Sequence, residues 1–495
     1  MSDFLIQLSS APSRHGLVDR NDGDYDRQLR SLAVYLRQPG LVQGAVDFNE
    51  YLETISPAVH TLSFLHLLRF QIQHLQRKTN TDVPNDFLPG GSLWKHAVRF
   101  LRSFDPVQVR YASSEWRQLI EFVVSTAQSI SKPVLAVQVI RDALKRLNTA
   151  GVFTSTHLIL VRIALLSSSY THALPVVDEI LCHFPIGIEH VPADHLLCSQ
   201  YETSTGIIMG TSGFSTNLTY RDYLQFYLYS AMIYMALKKW EQASHCLTVV
   251  ISAPTANSIS KIMVEAYKKW ILVNLLGHGK LSSIPSLVAA HVSRVYLSLA
   301  RPYISLAEAF EKGDLRRLNT EINLGQSIWR ADHNAGLVSQ VSEAFDKSLI
   351  TKLGRTFSAL TMSDVLQRAK SFPQGAQDVE EFVVSLVMSN ELKATVSHSA
   401  SNETSTMLRF PLRTQNHGFR EEYIRARLVR IRAALQIISR GIAQTEQALE
   451  CSQENLHFLA KNQKWNGNSE KPGAVGSSEA DGGGDIDEDL MGEGH

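Results

Sequence analysis

The sequence predicts a mostly α-helical protein in which a helical-repeat solenoid leads into a winged helix and then into a long C-terminal helix. Three patterns predict this order: helical hairpins that recur between about residues 105 and 300, helices followed by two short strands before residue 411, and an apolar heptad repeat after residue 419. The 495 residues are 44% hydrophobic and 19% charged. A chain of that size and composition buries a large core and is expected to contain more than one domain.

The clearest hairpin is LQFYLYSAMIYMALKKWEQASHCLTVVISAPT, at residues 224–255. Ala231 and Ala243 each lie on an apolar face with helical spacing, and their small side chains let two helices approach closely. Pro254 ends the second helix. Because such a hairpin cannot bury its apolar surface alone, we expect it to stack on similar hairpins.

Related patterns precede and follow this hairpin. Ala173 stands 70 residues before Ala243, and Ala136 stands 37 residues before Ala173. Downstream, SISKIMVEAYKKWILVNLL again has a helical period, and Gly277 and Gly279 are interpreted as its stop signal. The spacing predicts tetratricopeptide-like helix pairs. An irregular helical domain is the alternative, because only a few positions in each repeat match.

Two short helices broken at Gly313, the second capped by Asp314, open the next region. A longer helix follows, and Ser363 is expected to cap the helix after that, MSDVLQRAKSF. The helix QDVEEFVVSLVMSN turns Val379 and Val383 inward and precedes two strand candidates, ELKATVS and TMLRF. Helices followed by a hairpin with a long polar tip are the layout of a winged helix.

The last helix has the most regular pattern in the chain. Its apolar positions alternate by three and four residues over more than four heptads, which predicts a coiled-coil seam on a helix from about 419 to 463. After Pro472 the chain has seven acidic residues and neither Lys nor Arg, which is typical of a disordered tail. The seam consists of Leu428, Ile431, Leu435, Ile438, Ile442, Thr445, Leu449, Ser452, Leu456 and Leu459.

These patterns divide the chain into five parts. We predict an N-terminal helical cap at 1–104, a helical-repeat array at 105–300 with an inserted segment at 186–221, a winged-helix region at 301–411, a C-terminal bundle helix at 412–466, and a disordered acidic tail at 467–495.

The sequence offers no catalytic, cofactor-binding or metal-binding motif. It contains no H-x-H or H-E-x-x-H zinc motif and no G-x-S-x-G turn, and LLGHGKLSS departs from the phosphate-loop pattern. His190, His195, Cys182 and Cys198 lie near one another in sequence, but their spacing favours ordinary loop or packed residues. We therefore expect a protein that is not an enzyme, has no cofactor and holds no metal.

The charge balance and the cysteine content further limit the class of protein, its partners and its location. Lys plus Arg and Asp plus Glu both number 48, so no overall field favours nucleic acid or a membrane surface. Four scattered cysteines and the absence of a secretory signal or long apolar run indicate a soluble protein of the cytoplasm and nucleus. Asp378, Glu380 and Glu381 open the recognition-position helix of the winged helix and disfavour specific DNA binding. Three interpretations of the arginines of the last helix stay open: a solvated flank of the coiled coil, a contact with nucleic acid, and a contact with acidic proteins.

A helical-repeat array that leads into a winged helix resembles the PCI domain of the proteasome lid, the COP-nine signalosome and translation initiation factor three. DVEEFVVSLVMSNELKATV and LTMSDV resemble its winged-helix motifs. IMVEAYKKWILVNLLGHGKL preceded by SAPT, DPVQVRYA at 105–112 and RADHNAGLVSQ at 330–340 are more specific, and they resemble the subunit-three family of the signalosome. The resemblance covers about 100–412 and excludes the insertion, the arginines and the tail.

The resemblance implies a non-catalytic scaffold subunit of the assembly that removes a ubiquitin-like modifier from cullins. In this family, winged helices pair edge to edge and C-terminal helices gather into a bundle. On this sequence the edge contact would fall on KATV and TMLRF, and the bundle contact on the seam. The implied interface residues are Leu392, Ala394, Val396, Met407, Leu408 and Phe410 in the strands, with Leu428, Ile431, Leu435, Ile438, Ile442, Leu449, Leu456 and Leu459 in the seam.

The implied partners are the other signalosome subunits and, indirectly, cullin-based ubiquitin ligases, with no membrane and no specific nucleic acid. Two alternatives stay open from the sequence. One is a PCI scaffold subunit of the proteasome lid or of the initiation factor, and the other is a PCI protein of messenger-RNA export that binds nucleic acid.

Overall fold

The computed structural model describes residues 22–38, 48–80, 83–147, 151–181, 197, 212–254, 259–369, 376–389, 392–398, 406–410 and 417–450. The contacts divide the chain into two units, Met1–Arg425 and Ala426–His495. In the described residues of the first unit, helices pack around one large apolar core, and a second, smaller core lies near its C-terminal end. The prediction of a mostly α-helical fold is confirmed.

In the described residues of the N-terminal part of the first unit, four helices and two 3-10 turns are present. Their core contains aromatic side chains in series: Phe64 stacks on Phe100, which stacks on Phe104, whose ring meets the edge of Trp116. The helices are α1 Asp22–Leu36, α2 Asn49–Thr54, α3 Thr61–Thr79 and α4 Ser92–Ser103, with 3-10 turns at Asn85–Phe87 and Gln108–Ala112.

Helical hairpins follow, as predicted. Ala136, Ala173, Ala231 and Ala243 are all completely buried, so the small residues that defined the repeat lie between packed helices. Thr154 and His157 form the capping box of α7. The helices are α5 Ser113–Ser129, α6 Val134–Leu147, α7 Ser155–Leu166, α8 Tyr170–Val177, α9 Tyr220–Ala236, α10 Trp240–Ile251 and α11 Lys261–His278.

The stop signal of α11 is one glycine, not two. Gly279 ends the helix in the left-handed conformation at φ 68°, which glycine adopts without steric cost. Gly277 lies inside the helix, where an added Cβ would be 2.8 Å from the Cβ of Trp240. The prediction of a stop at Gly277 is therefore wrong. Gly277 instead lets α11 approach the start of α10.

The region after α11 contains two helices that the sequence analysis missed, α12 Ala290–Leu299 and α15 Gln326–Ala331. Between them are α13 Arg301–Lys312 and α14 Leu315–Leu324. The break at Gly313 is confirmed by its φ of 72°, and Asp314 caps α14 by accepting a hydrogen bond from the Arg317 amide at 3.2 Å. The long helix α16 spans Ala335–Thr356.

A buried polar network joins α11 to α13 and to the turn before α16. Lys269 Nζ donates to Glu265 at 2.9 Å and to Asn334 Oδ1 at 3.0 Å. Asn334 Nδ2 donates in turn to the Tyr303 hydroxyl at 2.8 Å, and that hydroxyl donates to Asp332. Lys268 pairs with the same Asp332 carboxylate at 2.7 Å. These bonds satisfy groups that would otherwise be costly to bury.

A three-stranded antiparallel sheet in the order β1-β3-β2 completes the predicted winged helix. Helix α16 contacts both apolar cores, through Val341 and Phe345 in the larger core and Ile350 in the smaller. Strand β1 was not predicted. The elements are β1 Ala359–Thr361, α17 Met362–Ala369, α18 Ala376–Met388, β2 Thr395–His398 and β3 Thr406–Arg409.

Thr361, not Ser363, caps α17. The Asp364 amide donates to the Thr361 hydroxyl at 3.2 Å, and the Thr361 amide donates back to the Asp364 carboxylate at 3.4 Å. This reciprocal pair satisfies amides that the helix leaves without an internal partner. The prediction of a Ser363 cap is wrong because Ser363 already lies within the first turn.

The last described element is α19, His417–Glu450, which is 34 residues long. At 1.5 Å per residue its length is about 50 Å. The predicted C-terminal end near residue 463 and the acidic tail lie outside the described residues.

Candidate functional site

Strand β2 is one of the two edge strands of the described winged-helix sheet, and β1 is the other. Phe410 N donates to Ser358 O at 2.8 Å, one residue beyond the Arg409–Ala359 pair of the β1–β3 ladder. Successive residues of an antiparallel strand direct their backbone N–H and C=O groups to opposite sides. The backbone groups of Leu408 therefore also point toward β1, whereas those of Met407 and Arg409 point toward β2. Their partners on β2 are Ser397 and Thr395.

The same alternation gives the direction of the backbone groups of the other two residues of β2. Val396 and His398 direct their backbone N–H and C=O groups away from β3. In an antiparallel sheet such groups can accept a further strand. The described part of β2 therefore has two residues whose backbone faces the outer edge of the sheet.

The structure corrects the predicted edge on TMLRF. Strand β3 lies in the centre of the sheet and pairs with β1 on one side and β2 on the other, so its backbone has no open edge. Leu408 and Leu392 are buried in the small core, and Ala394, Val396 and Phe410 pack against it. Met407 is half-buried. The side chains proposed from sequence thus mainly hold the winged helix together.

The acidic first turn of α18 lies beside this sheet. Glu380 accepts a hydrogen bond from the Thr406 hydroxyl of β3 at 3.2 Å, while Glu381 is exposed. Val379 and Val383 are buried in the small core, as the sequence predicted, and Phe382 packs against it. Glu380 therefore helps to join α18 to the sheet.

The seam of α19 is exposed along its described length. The six apolar seam positions between 428 and 449 retain 41% to 70% of their accessible surface: Leu428 59%, Ile431 46%, Leu435 59%, Ile438 41%, Ile442 52% and Leu449 70%. Monomeric proteins rarely expose a continuous apolar face of this kind. Ser452, Leu456 and Leu459 lie outside the described residues.

A contact that the sequence analysis missed fixes Leu197, in the inserted segment. Its amide donates to Asp26 Oδ1 at 3.2 Å, and its carbonyl accepts from Arg110 at 2.7 Å. Asp26 is buried and also accepts a 2.6 Å hydrogen bond from the Tyr111 hydroxyl. The partners are 171 and 87 residues from Leu197, so no local pattern could predict this arrangement.

Within the described ranges, His, Cys, Asp and Glu side chains form no group of three or more that could hold a metal ion. The set Cys182, His190, His195 and Cys198 lies outside those ranges. Cys246 is buried, and burial together with the nearby Asp178 raises the pKa of its thiol to about 12, so it is not a reactive thiolate at neutral pH. None of the helices described has both the length and the apolarity of a membrane span.

Comparison with known proteins identifies the family. The profile of the COP9 signalosome complex subunit 3 N-terminal helical repeats matches residues 26–292. A COP9 signalosome complex subunit 3 from Emericella nidulans is 66% identical over 495 residues, which covers both chains completely. The chain belongs to the COP9 signalosome complex subunit 3 family.

More distant members support the same assignment. COP9 signalosome complex subunit 3 of Dictyostelium discoideum is 27% identical over 301 residues, covering 60% of this chain and 65% of its own. The Neurospora crassa protein of the same name is 24% identical over 483 residues, covering 94% and 92%. The family predicted from the quoted motifs is confirmed, and the alternative families are not supported.

The subunit 3 profile begins in α1 and ends in α12, so it covers most of the predicted cap and most of the predicted array. The match to the Emericella nidulans subunit 3 also includes the winged helix, α19 and the tail, because it runs over the full length.

Proposed function

We propose that this protein is a non-catalytic scaffold of the COP9 signalosome that docks other subunits through α19 and through the edge of its winged helix. The exposed seam of α19 carries the proposal. Covering a Leu or Ile side chain is worth about 1.5–3 kcal/mol, so six such positions give a strong drive for association. A subunit of a stable assembly needs a surface of this kind.

The outer edge of β2 is the second proposed docking surface. Val396 and His398 direct backbone groups outward, and a strand from a neighbouring winged helix can bond to them. Specificity would come from side chains around the edge, since backbone pairing alone carries little sequence information. The buried Leu392 and Leu408 keep the edge in place.

The family resemblance implies the activity of the assembly, which is removal of a ubiquitin-like modifier from cullin subunits of ubiquitin ligases. This chain contributes a platform, and cullin ligases are its indirect partners. The proposed location is the cytoplasm and nucleus, with no membrane and no specific nucleic acid as partner. Purified alone, the chain is expected to leave a modified cullin uncleaved. Cleavage that persists after contaminating subunits are removed would contradict the scaffold role.

The decisive variant is Leu435→Asp with Ile438→Asp. Two carboxylates in the centre of the seam would have to be buried without partners, so incorporation into the complex should be lost. The isolated chain should keep its helical content, since the apolar cores of the first unit do not include these residues. Co-purification with the other subunits and circular dichroism of the isolated chain measure the two effects.

A matched control uses Leu287→Asp with Leu324→Asp. Those leucines are 83% and 75% exposed and lie outside α19, so the chemical change is similar and the location differs. The control should assemble normally. Normal incorporation of the Leu435/Ile438 variant would show that the seam is not an assembly contact.

A further inference from the structure

A groove with a volume of about 640 Å³ is lined by α11, by α12 and by the residues at the end of α15. Helix α11 contributes Val264, and α12 contributes Val295 and Leu299. Val295 and Leu299 keep 36% and 53% of their accessible surface. No residue of α19 or β2 lines this groove, so it is distinct from both docking surfaces proposed above.

Both carboxylates that line the groove are already paired. Asp332 pairs with Lys268 at 2.7 Å and accepts a hydrogen bond from the Tyr303 hydroxyl at 2.8 Å. Glu265 accepts from Lys269 Nζ at 2.9 Å. The two acids are therefore compensated by two lysines, and they leave the groove without a net negative charge.

Three further donors line the groove and are exposed: Lys261, His291 and His333. None of them has an ion-pair partner in the part of the chain that the structure describes. A lysine ammonium and an imidazole N–H both donate to a carboxylate, and bonds of this kind are stronger than those between neutral groups. The uncompensated groups of the groove therefore favour an anionic ligand.

The backbone at His333 shows that its side chain is not required by the local fold. Its φ is 54°, in the left-handed region that favours glycine. The His333 amide donates to Arg330 O at 3.2 Å and the Asn334 amide donates to Trp329 O at 2.8 Å, which ends α15. Glycine would make the same bonds at a lower steric cost. Histidine adds an imidazole to the groove.

The dimensions of the groove indicate a short peptide. Eight residue steps separate His291 from Leu299, which is about 12 Å along α12 and equals about four residues of extended chain. A contact of that length is much smaller than the surface of about 800 Å² that each partner buries in a stable interface. It suits reversible binding.

Nucleic acid fits this surface less well. Sites for single-stranded nucleic acid stack bases on aromatic rings. The described lining of the groove contains no Phe, Tyr or Trp, and its apolar side chains are aliphatic. Glu265 and Asp332 would also lie near the phosphates.

We propose that this groove reversibly binds a short extended segment of another protein, in which Asp or Glu alternates with bulky aliphatic residues. Lys261, His291 and His333 would bind the carboxylates, and Val295 and Leu299 would cover the aliphatic side chains. This inference goes beyond the scaffold role and does not depend on it.

Fluorescence anisotropy with the full chain tests the chemistry of the ligand. The probe is a fluorescein-labelled pentapeptide, Asp-Leu-Glu-Leu-Asp. Replacing its acids by amides, as Asn-Leu-Gln-Leu-Asn, or its leucines by serines, as Asp-Ser-Glu-Ser-Asp, should weaken binding at least about tenfold. Absence of binding, or equal binding of the acidic and amide peptides, would overturn the inference. Tighter binding of a single-stranded oligonucleotide would also overturn it.

Substitutions in the groove test the location of the site. Lys261→Glu and Leu299→Asp should each weaken binding of the probe at least about tenfold. Leu166→Asp is the matched control, because Leu166 is 72% exposed and lines a different apolar groove. That variant should bind the probe normally. Unchanged affinity in both groove variants would overturn the inference.

His333→Gly separates loss of the ligand from loss of the fold. It should weaken binding of the probe by about 3- to 10-fold, the value of one hydrogen bond. The urea midpoint should not fall, because glycine adopts the left-handed backbone without steric cost. Unchanged affinity would remove His333 from the site, and a lower midpoint would show that the imidazole serves the fold instead.

Two further measurements identify the occupant. Leu299→Asp should co-purify normally with the other signalosome subunits, and loss of incorporation would make the groove an assembly contact, against the proposal. Deleting 467–495 should leave the affinity for the probe unchanged. A clear rise would mean that the chain's own acidic tail competes for the groove, and would overturn the assignment to another protein.

Discussion

The repeat hairpin α9–α10 and the helix α19 have the same kind of apolar spacing but opposite surroundings. In the hairpin, Ala231, Ala243 and Leu247 are completely buried against neighbouring helices. In α19, the six described apolar residues of the seam keep 41% or more of their surface. The comparison shows that periodicity identifies which face of a helix is apolar. Whether that face is buried and stabilises the chain, or stays exposed, depends on the neighbouring helices.

The largest expected effect in the isolated chain comes from Trp116→Ala. Trp116 is buried, and its ring meets Phe104 and Phe214 at centroid distances of 6.1 Å and 5.7 Å. Its removal should lower the free energy of unfolding by about 3–5 kcal/mol. Leu435→Ala, on the exposed seam, should change it by no more than about 0.5 kcal/mol. Urea unfolding of both variants measures the contrast, and similar losses would mean that the seam belongs to the core.

A second expected effect concerns the stability of the chain at acidic pH. Burial lowers the pKa of His157 to about 4, and its Nδ1 accepts a hydrogen bond from the Thr154 amide at 3.2 Å. Because the ordinary pKa is 6.5, the unfolded chain takes up a proton first as the pH falls. The stability associated with neutral His157 is complete above pH 6.5 and is lost progressively as the pH falls toward 4.

His157→Gln should remove this acid sensitivity. Glutamine keeps an acceptor for the Thr154 amide, in the usual capping-box position, but does not titrate. The loss of unfolding free energy between pH 7 and pH 4 should shrink by on the order of 3 kcal/mol. Urea unfolding at the two pH values gives the difference. His291→Gln, at an exposed position, is the control, and an unchanged acid response in His157→Gln would refute the explanation.

A smaller effect is expected at the edge of the winged helix. His398→Pro removes an N–H group that faces away from β3, so the sheet should remain and one subunit interface should weaken by about 3- to 10-fold, the value of one hydrogen bond. Ser397→Pro removes a ladder bond to β3 and should disturb the sheet itself. Proline at Ala394 is a poorer test, because that amide already donates to Leu392. Pairwise binding to each subunit provides the measurement, and unchanged affinity for all of them would exclude this edge.

The smallest effect is expected from deleting 467–495. That segment is acidic and has few apolar residues, so neither the fold nor incorporation should change. Circular dichroism and co-purification check both expectations. A clear loss of either property would give the tail a role that its composition does not indicate.

The sequence by itself determined the order of the main regions, the buried alanines of the hairpins, the cap at Asp314 and the apolar face of α19. These depend on local spacing and on single residues, so they can be read without knowing the fold. Local reading failed where two signals compete at close range, as at Gly277 and Gly279, or at Thr361 and Ser363. At Gly277 the neighbouring helix determined the outcome, and at Thr361 the hydrogen bonds of the cap determined it.

Only the tertiary structure decided that β3 lies in the centre of the winged-helix sheet, with β1 and β2 as its edges, because β1 has just three residues and its pairing with β3 depends on packing against the small core. The clamp on Leu197 by Asp26 and Arg110 joins residues far apart in the chain, and the described apolar residues of the α19 seam keep 41% or more of their surface. Sequence periodicity fixes directions around a helix or strand, whereas contacts between distant segments fix what those directions meet.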